Sequence, residues 1–299
     1  MARPPTIQTL EPGLRRILAP NPSPMTEAGT NTYLIGTRDL VLIDPGPDDP
    51  AHLAAIQGAI GADQSLTAIL VTHSHLDHTA LVPALVEATR APVLAAGESD
   101  WGRSALMQEL AAEGALGGGE GRDARFRPDR QIAQGDVIEG SDWCIEVLET
   151  PGHMANHLSF VWNGALFSGD LVMGWSTSLV SPPDGDMGAF LRSLARLEGR
   201  GDRVFYPGHG APVTDPAARL RELTLHRRAR EAAILAALRQ APASPAALAR
   251  QIYDDLAAAL LPYAERNVLA HLIDLVEKGA VDVARPLRAD SVFTARPAP

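Results

Sequence analysis

The sequence predicts a mixed α/β (α+β) fold that is followed by a smaller domain of different character. Over about the first 215 residues, short apolar runs typical of buried strands alternate with helical patterns, and beyond them helical patterns dominate and precede a hairpin pattern. The charge divides at the same place: residues from Arg219 onward hold 12 basic and 9 acidic side chains, whereas the preceding 218 residues hold 14 and 27. We therefore expect two domains, residues 1–215 and residues 216–299.

Composition excludes several classes of protein. With 299 residues, of which 45% are hydrophobic and 21% charged, the chain has enough apolar material for a folded core. It contains no apolar run of the roughly 18 residues that a membrane helix needs, and its opening residues lack an export signal, so a cytoplasmic protein is expected. The single cysteine, Cys144, lies in an apolar run, which predicts a buried and unreactive thiol.

In the first domain the predicted elements follow an order typical of packed sheets and helices. A hairpin is expected over residues 32–43, and a helix over residues 50–60 begins with Asp49 as N-cap and Pro50 at its first position. Further strands are expected over residues 66–72, 92–95, 143–148, 157–162, 165–167 and 204–206. Helices are expected over residues 78–89 and 187–197, and the five glycines of residues 114–121 predict a flexible loop.

The second domain has the pattern of a winged helix. An Arg-rich amphipathic helix is predicted over residues 216–238, and further helices extend to Tyr253 and over residues 262–278. A hairpin follows at residues 281–283 and 291–294. Such a domain either binds nucleic acid or packs against the first domain, or a second copy of it, and shapes the cleft. The weak excess of basic residues favours packing, and a cluster of five arginines keeps nucleic-acid binding open: Arg219, Arg221, Arg227, Arg228 and Arg230.

The segment from Thr72 to His78 carries the strongest chemical signal. Its sequence is Thr-His-Ser-His-Leu-Asp-His, and it follows a predicted buried strand. Because the chain leaves the strand there in an extended form, His73 and His75 point to the same side and can bind one ion. Asp77 and His78 begin the next helix, from which they can face a second ion. The segment therefore predicts a dinuclear metal site.

Three further metal-ligand residues occupy similar positions downstream. His153, Asp170 and His209 each follow an apolar strand and lie beside a glycine. Glycine lets the backbone turn closely around an ion, because it has no Cβ to clash. Singly, each residue is better explained by a hydrogen-bonded turn. Together with the first segment they predict one shared metal centre.

These motifs resemble those of the metallo-β-lactamase-fold hydrolases over residues 13–212. The resemblance implies a four-layer αββα sandwich with its metals at one edge between the sheets. It implies that the first ion is held by His73, His75 and His153, and the second by Asp77, His78 and His209. It also implies that Asp170 bridges both ions and that Asp44 orients a metal-bound histidine.

The resemblance and the ligand types together indicate a metal-dependent hydrolase. Because most ligands are imidazoles, two Zn²⁺ ions are expected, with Mn or Fe as alternatives in the second position. A metal-bound hydroxide would be the nucleophile, and the second ion would stabilise the developing charge. Asp77 and Asp170 are the expected catalytic residues, Asp77 as a proton shuttle to the leaving group. A non-catalytic regulator would lack a ligand of this set, and none is missing.

The layout with a winged-helix-like extension resembles the group around beta-lactamase-like protein 2. That group includes an endoribonuclease acting on single-stranded RNA, which is the alternative to a small ester, thioester or lactone as substrate. The expected partners are accordingly a small molecule, with RNA and a second copy of the chain as alternatives, and no membrane. Two residues have two interpretations each: Trp175 contacts substrate or packs in the core, and His157 supports the site or is a structural histidine.

Overall fold

The computed structural model describes residues 6–119 and 121–297. Over these residues one sheet contains seven strands, which neighbour each other in chain order. They are β1 (Thr6–Glu11), β2 (Leu14–Leu18), β3 (Asn31–Ile35), β4 (Asp39–Ile43), β5 (Ser65–Leu70), β6 (Val93–Ala95) and β7 (Arg130–Gln131). Pairing is antiparallel from β1 to β4 and parallel from β4 to β7. Parallel neighbours need crossovers, and helices supply them.

The second sheet has five strands over the described residues, in the order β12-β11-β10-β9-β8. They are β8 (Val137–Glu139), β9 (Cys144–Glu149), β10 (Leu158–Trp162), β11 (Ala165–Gly169) and β12 (Val204–Pro207). Neighbours are antiparallel except for β11 and β12, which are parallel and are joined through the helix α5 (Met187–Glu198). The remaining helices of this half are α1 (Pro50–Ala59), α2 (Leu76–Thr79), α3 (Val82–Thr89) and α4 (Ala105–Glu113).

The two sheets pack face to face, with helices on both outer faces. In β4, Val41 and Ile43 belong to the core between the sheets, whereas Leu40 and Leu42 pack toward α1 and α3. Alternate residues of this strand are therefore buried on both faces, which explains its unbroken apolar run. On the other outer face, α5 packs against the second sheet. The predicted four-layer αββα arrangement is confirmed.

The helix predicted over residues 78–89 is two helices in the structure. The first, α2, is one short turn that ends at Thr79, and α3 begins at Val82. Pro83 lies in the first turn of α3, where its missing N–H costs no hydrogen bond. A single helix through this proline would lose a backbone hydrogen bond. The break keeps the short α2 turn separate, and that turn carries Asp77 and His78.

The prediction of a buried Cys144 is wrong, because the thiol is exposed. Its neighbours along the chain, Trp143 and Ile145, belong to the core between the sheets. Side chains alternate between the two faces of a strand, so Cys144 must point outward when its neighbours point inward.

The C-terminal part contains α6 (Pro216–Gln240), α7 (Pro245–Ile252), a 3₁₀ turn (Ala258–Leu260), α8 (Leu261–Glu277) and the hairpin strands β13 (Val281–Val283) and β14 (Phe293–Ala295). Helix α6 contributes to two hydrophobic clusters. Leu220 and Leu223 pack below the second sheet, and Ile234 and Leu238 pack with α7 and α8. Leu116, in the glycine-rich stretch, is buried in that second cluster, which anchors this residue there.

Among the described residues, none of the helices has the length and apolar character that crossing a membrane requires.

Candidate metal centre

The functional side chains follow the ends of strands from both sheets. Asp44 follows β4, and His73 comes three residues after β5. His153, Asp170 and His209 follow β9, β11 and β12 in the second sheet. Because these strand ends meet at one edge of the sandwich, residues far apart in the sequence come together. The structure places all seven predicted ligands in two adjacent groups: His73, His75, His153 and Asp170, and then Asp77, His78 and His209.

In the first group, the nitrogens of three imidazoles converge beside the carboxylate of Asp170. Nδ1 of His75 lies 3.1 Å from Nε2 of His73 and 3.0 Å from Nε2 of His153. Oδ2 of Asp170 is 4.0 Å from the His73 nitrogen and 3.7 Å from the His153 nitrogen. Two nitrogens that share a tetrahedral zinc at about 2.1 Å lie about 3.4 Å apart. The spacing in this group therefore fits one shared cation.

The second group combines imidazole and carboxylate donors. Oδ2 of Asp77 lies 3.6 Å from Nε2 of His78 and 3.2 Å from Nε2 of His209. Asp170 reaches this group as well: its Oδ1 is 3.6 Å from the His78 nitrogen, and its Oδ2 is 3.3 Å from the His209 nitrogen. Asp170 thus lies between the two groups, with an oxygen near each.

Four of the five histidines in the two groups engage their other ring nitrogen in a hydrogen bond. Nδ1 of His78 is 2.9 Å from Oδ2 of Asp44, and Nδ1 of His153 is 2.6 Å from the carbonyl of Leu179. Nδ1 of His73 contacts Thr72 Oγ1 at 3.0 Å, and Nδ1 of His209 contacts the carbonyl of Gly29 at 3.3 Å. Metal-bound histidines typically have such a partner, because it fixes the ring and leaves the other nitrogen free to bind.

Three observations show that the donor set fits a divalent cation. Among the described residues, Nε2 of His78 and Oδ1 of Asp170 are buried and have no hydrogen-bond partner. Buried polar atoms without a partner are costly, and a bound cation would satisfy both. Gly208 packs against the side chains of Asp170 and His78. A Cβ at this position would collide with Oδ1 of Asp170 and come within 2.8 Å of Cε1 of His78. The mixture of imidazole and carboxylate donors suits zinc and other first-row metals.

The two groups differ in charge. Burial, with a smaller contribution from the charge of His153, lowers the pKa of His75 to about 3, so this ring is neutral at pH 7. Burial also acts to lower the pKa of His78 and His209, but nearby carboxylates outweigh it, and the pKa of His209 rises to about 9. Burial acts to raise the pKa of Asp170, but the charges of His209 and His78 lower it well below the usual value. The second group therefore attracts positive charge.

The three accessory residues predicted from the sequence have different positions. Asp44 holds His78 and also accepts hydrogen bonds from the amide and hydroxyl of Thr72, each at 2.8 Å. His157 is buried, and its two ring nitrogens contact Thr150 Oγ1 at 2.8 Å and the amide of Asp170 at 3.2 Å. It therefore supports the backbone of Asp170, and it is not among the described residues that line the cavity. Trp175 is 39% exposed and lines the cavity above the metal site.

A cavity of about 630 Å³ opens over both groups of ligands. His75, Asp77, Asp170 and other ligands form its floor. Part of its wall comes from the C-terminal domain, which contributes Pro262 and Tyr263 of α8. No short motif in the sequence indicates this wall, because α8 reaches the site only through tertiary packing. The prediction that this domain packs and shapes the cleft is consistent with the arrangement.

The arginine cluster of the C-terminal domain does not form one basic face. Nε of Arg219 donates to the carbonyl of Met173 at 2.7 Å, and Arg230 donates to the carbonyl of Ile252 at 3.1 Å. Arg227 is only 1% exposed. Two members of the cluster, Arg221 and Arg228, are exposed. Recognition of nucleic acid needs a concentrated basic surface, and these five side chains do not provide one.

Family models match both parts of the chain. The metallo-beta-lactamase superfamily model matches residues 25–209, and the beta-lactamase associated winged helix domain model matches residues 244–285. The beta-lactamase-like protein 2 homolog of Drosophila melanogaster is 30% identical over 304 residues, which are 98% of this chain and 97% of that protein. An atrochrysone carboxyl ACP thioesterase of Aspergillus chevalieri is 33% identical over 243 residues, which are 79% of this chain and 69% of that protein.

A solved structure shows the same fold over nearly the whole chain. The metallo-beta-lactamase family protein TTHA1429 from Thermus thermophilus superposes with a TM-score of 0.77 and 27% identity, and the match covers 96% of this chain and 100% of that one. The resemblance predicted from the sequence is confirmed for both parts. The chain belongs to the metallo-beta-lactamase superfamily and is a metal-dependent hydrolase with a C-terminal winged helix domain.

Proposed function

We propose that the protein is a dinuclear zinc hydrolase of a small ester, thioester or lactone. The observation that carries the proposal is the convergence of seven donor residues in two adjacent groups. We assign the first cation to His73, His75 and His153, the second to Asp77, His78 and His209, and a bridging position to Asp170. We further assign the catalytic unit to residues 1–215 and the winged helix unit to residues 216–299, with α6 packed into both hydrophobic clusters.

A pair of bound divalent cations would lower the pKa of water at the site and polarise the scissile carbonyl. Asp170 and Asp77 then have separate roles. Asp170 fixes the spacing of the two groups, because its Oδ2 lies near His153 of the first group and its Oδ1 lies near His78 of the second group. Asp77 is 30% exposed, and its Oδ2 faces two histidines. Its Oδ1 is the atom that we assign to carry a proton to the leaving group.

The walls of the cavity favour an uncharged acyl group. Met25, Met173, Trp175 and Leu179 give the cavity an apolar lining near the metal site. Among the described residues that line it, Arg266 is the only arginine or lysine. Its guanidinium already donates to Ser181 Oγ at 2.8 Å and to the carbonyls of Leu116 and Pro182. Away from the metal site, an anionic substrate group would therefore meet the carboxylates of Asp184 and Glu265.

The choice of substrate class also has support from a relative. The Aspergillus chevalieri protein is named as a thioesterase acting on an acyl carrier protein. A thioester carbonyl with an apolar acyl group fits the lining described above. Single-stranded RNA is the competing substrate, and the phosphates on either side of the cleaved bond would need cationic side chains, of which the described lining has only Arg266. A cytoplasmic location and a homodimer stay predictions.

The test is an activity panel on the zinc-loaded protein. We expect hydrolysis of acyl thioesters, small esters or lactones and no cleavage of single-stranded RNA. The control is Asp170→Ala, which is expected to lose bound zinc, measured by elemental analysis, together with turnover. Cleavage of RNA alone would overturn the substrate assignment. Normal turnover in Asp170→Ala would overturn the dinuclear site, and full activity with manganese or iron but not zinc would overturn the metal assignment.

A further inference from the structure

Residues 178–180, which we term the support segment, lie directly behind two of the proposed metal ligands. The carbonyl of Leu179 accepts a hydrogen bond from Nδ1 of His153 at 2.6 Å. The hydroxyl of Ser178 donates to the carbonyl of Asp170. It also contacts the carbonyl of Leu171 at 2.9 Å. The segment therefore orients the ring of His153 and holds the backbone of Asp170.

Two helices of the C-terminal part hold the support segment from its other side. Arg227 of α6 donates through Nη2 to the carbonyl of Ser178 and through Nη1 to Oδ1 of Asn267 at 2.9 Å. Asn267 is on α8, and the same oxygen accepts a hydrogen bond from the amide of Val180 at 3.1 Å. One guanidinium and one amide side chain thus bind both ends of a three-residue segment.

The burial of Arg227 is unusual for a residue without a carboxylate partner. Its side chain is 1% exposed, and no ion pair joins it to a carboxylate within the part of the chain that the structure describes. Its guanidinium lies over the ring of Phe190, 5.1 Å from the ring centre. Burying a charge in this way opposes folding unless its hydrogen bonds are well placed. Arg227 donates its hydrogen bonds to the support segment and to Asn267, which also binds that segment.

We propose that Arg227 and Asn267 are positioning residues of the metal centre. They fix the support segment, which in turn fixes His153 and Asp170. A metal-bound histidine is oriented by the acceptor of its second nitrogen, so a shift of the Leu179 carbonyl turns the ring away from the cation. The inference rests on the proposed function, because it takes His153 and Asp170 as ligands. It makes the C-terminal helices part of the metal site's structure.

The experiment measures zinc affinity in the full chain by competition with a chromophoric chelator. Arg227→Met and Asn267→Ala are expected to weaken the binding of zinc by 10- to 100-fold, as is typical for loss of a residue that supports a ligand. Asn267→Asp keeps the oxygen acceptors and is expected to restore most of the affinity. Arg230→Met is the matched control, because Arg230 lies on the same helix and binds a carbonyl of α7, away from the support segment.

The outcomes separate this inference from the proposed function. If the wild-type chain binds no zinc, the proposed function fails. If it binds two equivalents and both Arg227→Met and Asn267→Ala bind them as tightly, the positioning role is overturned while the proposed function stands. Equal weakening by Arg227→Met and Arg230→Met would show general destabilisation and would also overturn it. Urea unfolding is measured in parallel. If Arg227→Met does not fold, the zinc affinities of Asn267→Ala and Asn267→Asp test the positioning role on their own.

Discussion

Asp44 lies 2.9 Å from Nδ1 of His78 and, through the same carboxylate, holds the amide and hydroxyl of Thr72. The residue adopts a left-handed backbone conformation with a φ of 54°, which is uncommon outside glycine. Such strained positions often occur where a side chain must be aimed at a site. One carboxylate therefore positions both the start of the His-rich turn and the last histidine of the motif.

Replacement of Asp44 by Asn should lower zinc affinity by 10- to 100-fold. The introduced side-chain amide can donate to Nδ1 of His78, and this would place the ring proton on Nε2, the nitrogen that faces the cation. Isothermal titration of the metal-free protein with zinc measures the change. The matched control is Asp49→Asn, because Asp49 caps α1 and Asn is an equally good N-cap. Unchanged zinc affinity in the Asp44 variant would contradict the assigned role.

Replacement of Gly208 by Ala should abolish binding of zinc in the second group while the fold is kept. A Cβ at this position meets Oδ1 of Asp170 and comes within 2.8 Å of Cε1 of His78, so both must move. The backbone of Gly208 is not in a left-handed conformation, and alanine therefore brings no backbone strain. The number of zinc ions per chain and the circular dichroism spectrum measure the two expectations.

The control for this prediction is Gly58→Ala in α1, where an added Cβ meets no atom within 4 Å. Alanine is favoured over glycine in a helix by up to about 1 kcal/mol, so this variant should be at least as stable as the wild type and bind two zinc ions. Two zinc ions in Gly208→Ala would show that the site has room for a methyl group and would count against the described geometry.

Replacement of Trp175 by Ala should raise KM for thioesters with apolar acyl groups by about tenfold, or about 1.4 kcal/mol of lost binding. The indole lines the cavity and is 39% exposed, so its removal leaves the ligand residues in place. Zinc content should not change, and Trp175→Phe should retain part of the affinity. Steady-state kinetics with acetyl and longer acyl thioesters provide the test. An equal KM for long acyl groups in wild type and Trp175→Ala would disprove the contact.

His271 should make the free energy of unfolding depend on pH below about 6.5. Both of its ring nitrogens are buried without a hydrogen-bond partner within the described residues, and burial, together with the charge of Arg227, lowers its pKa to about 3. Between pH 6.5 and 3, His271 therefore binds a proton in the unfolded chain and stays neutral in the folded chain. Stability present above pH 6.5 is lost as the pH falls toward 3, by up to about 1.4 kcal/mol per pH unit.

The measurement compares urea unfolding of the metal-free wild type and His271→Leu at pH 7, 6 and 5. The wild type should lose more stability over this range than the variant, because other histidines titrate equally in both proteins. Parallel losses would show that His271 titrates normally in the folded state.

The metal centre could be predicted because its signals are local. Four of the seven proposed ligands lie within six residues, from His73 to His78, and the other three each follow a strand beside a glycine. Residues at strand ends meet wherever the strands share an edge, so the order of strands was enough to bring them together. The outward direction of Cys144 is also predictable from local sequence, because apolar Trp143 and Ile145 flank it and side chains alternate between the faces of a strand.

The support of the site could not be predicted in the same way. Leu179 and Ser178 act partly through backbone carbonyls. Every residue has such a group, so the residue type does not indicate which carbonyls support the site. The sequence places Arg227 in a basic cluster, whereas its burial results from the packing of α6 against other elements. Similarly, Tyr263 reaches the cavity only because α8 folds back over the first domain. Such contacts depend on the tertiary structure and have no short motif.

The shared helix α6 limits how this chain can be recombined. Its 25 residues form a rod about 38 Å long. The rod begins below the second sheet and ends in the hydrophobic cluster that it shares with α7 and α8. A cut inside it would leave unburied leucine side chains on both fragments. A chimera that takes its winged helix domain from a relative would therefore also have to take the whole of that relative's α6. Arg227, which lies on α6 behind the metal centre, would be replaced with it.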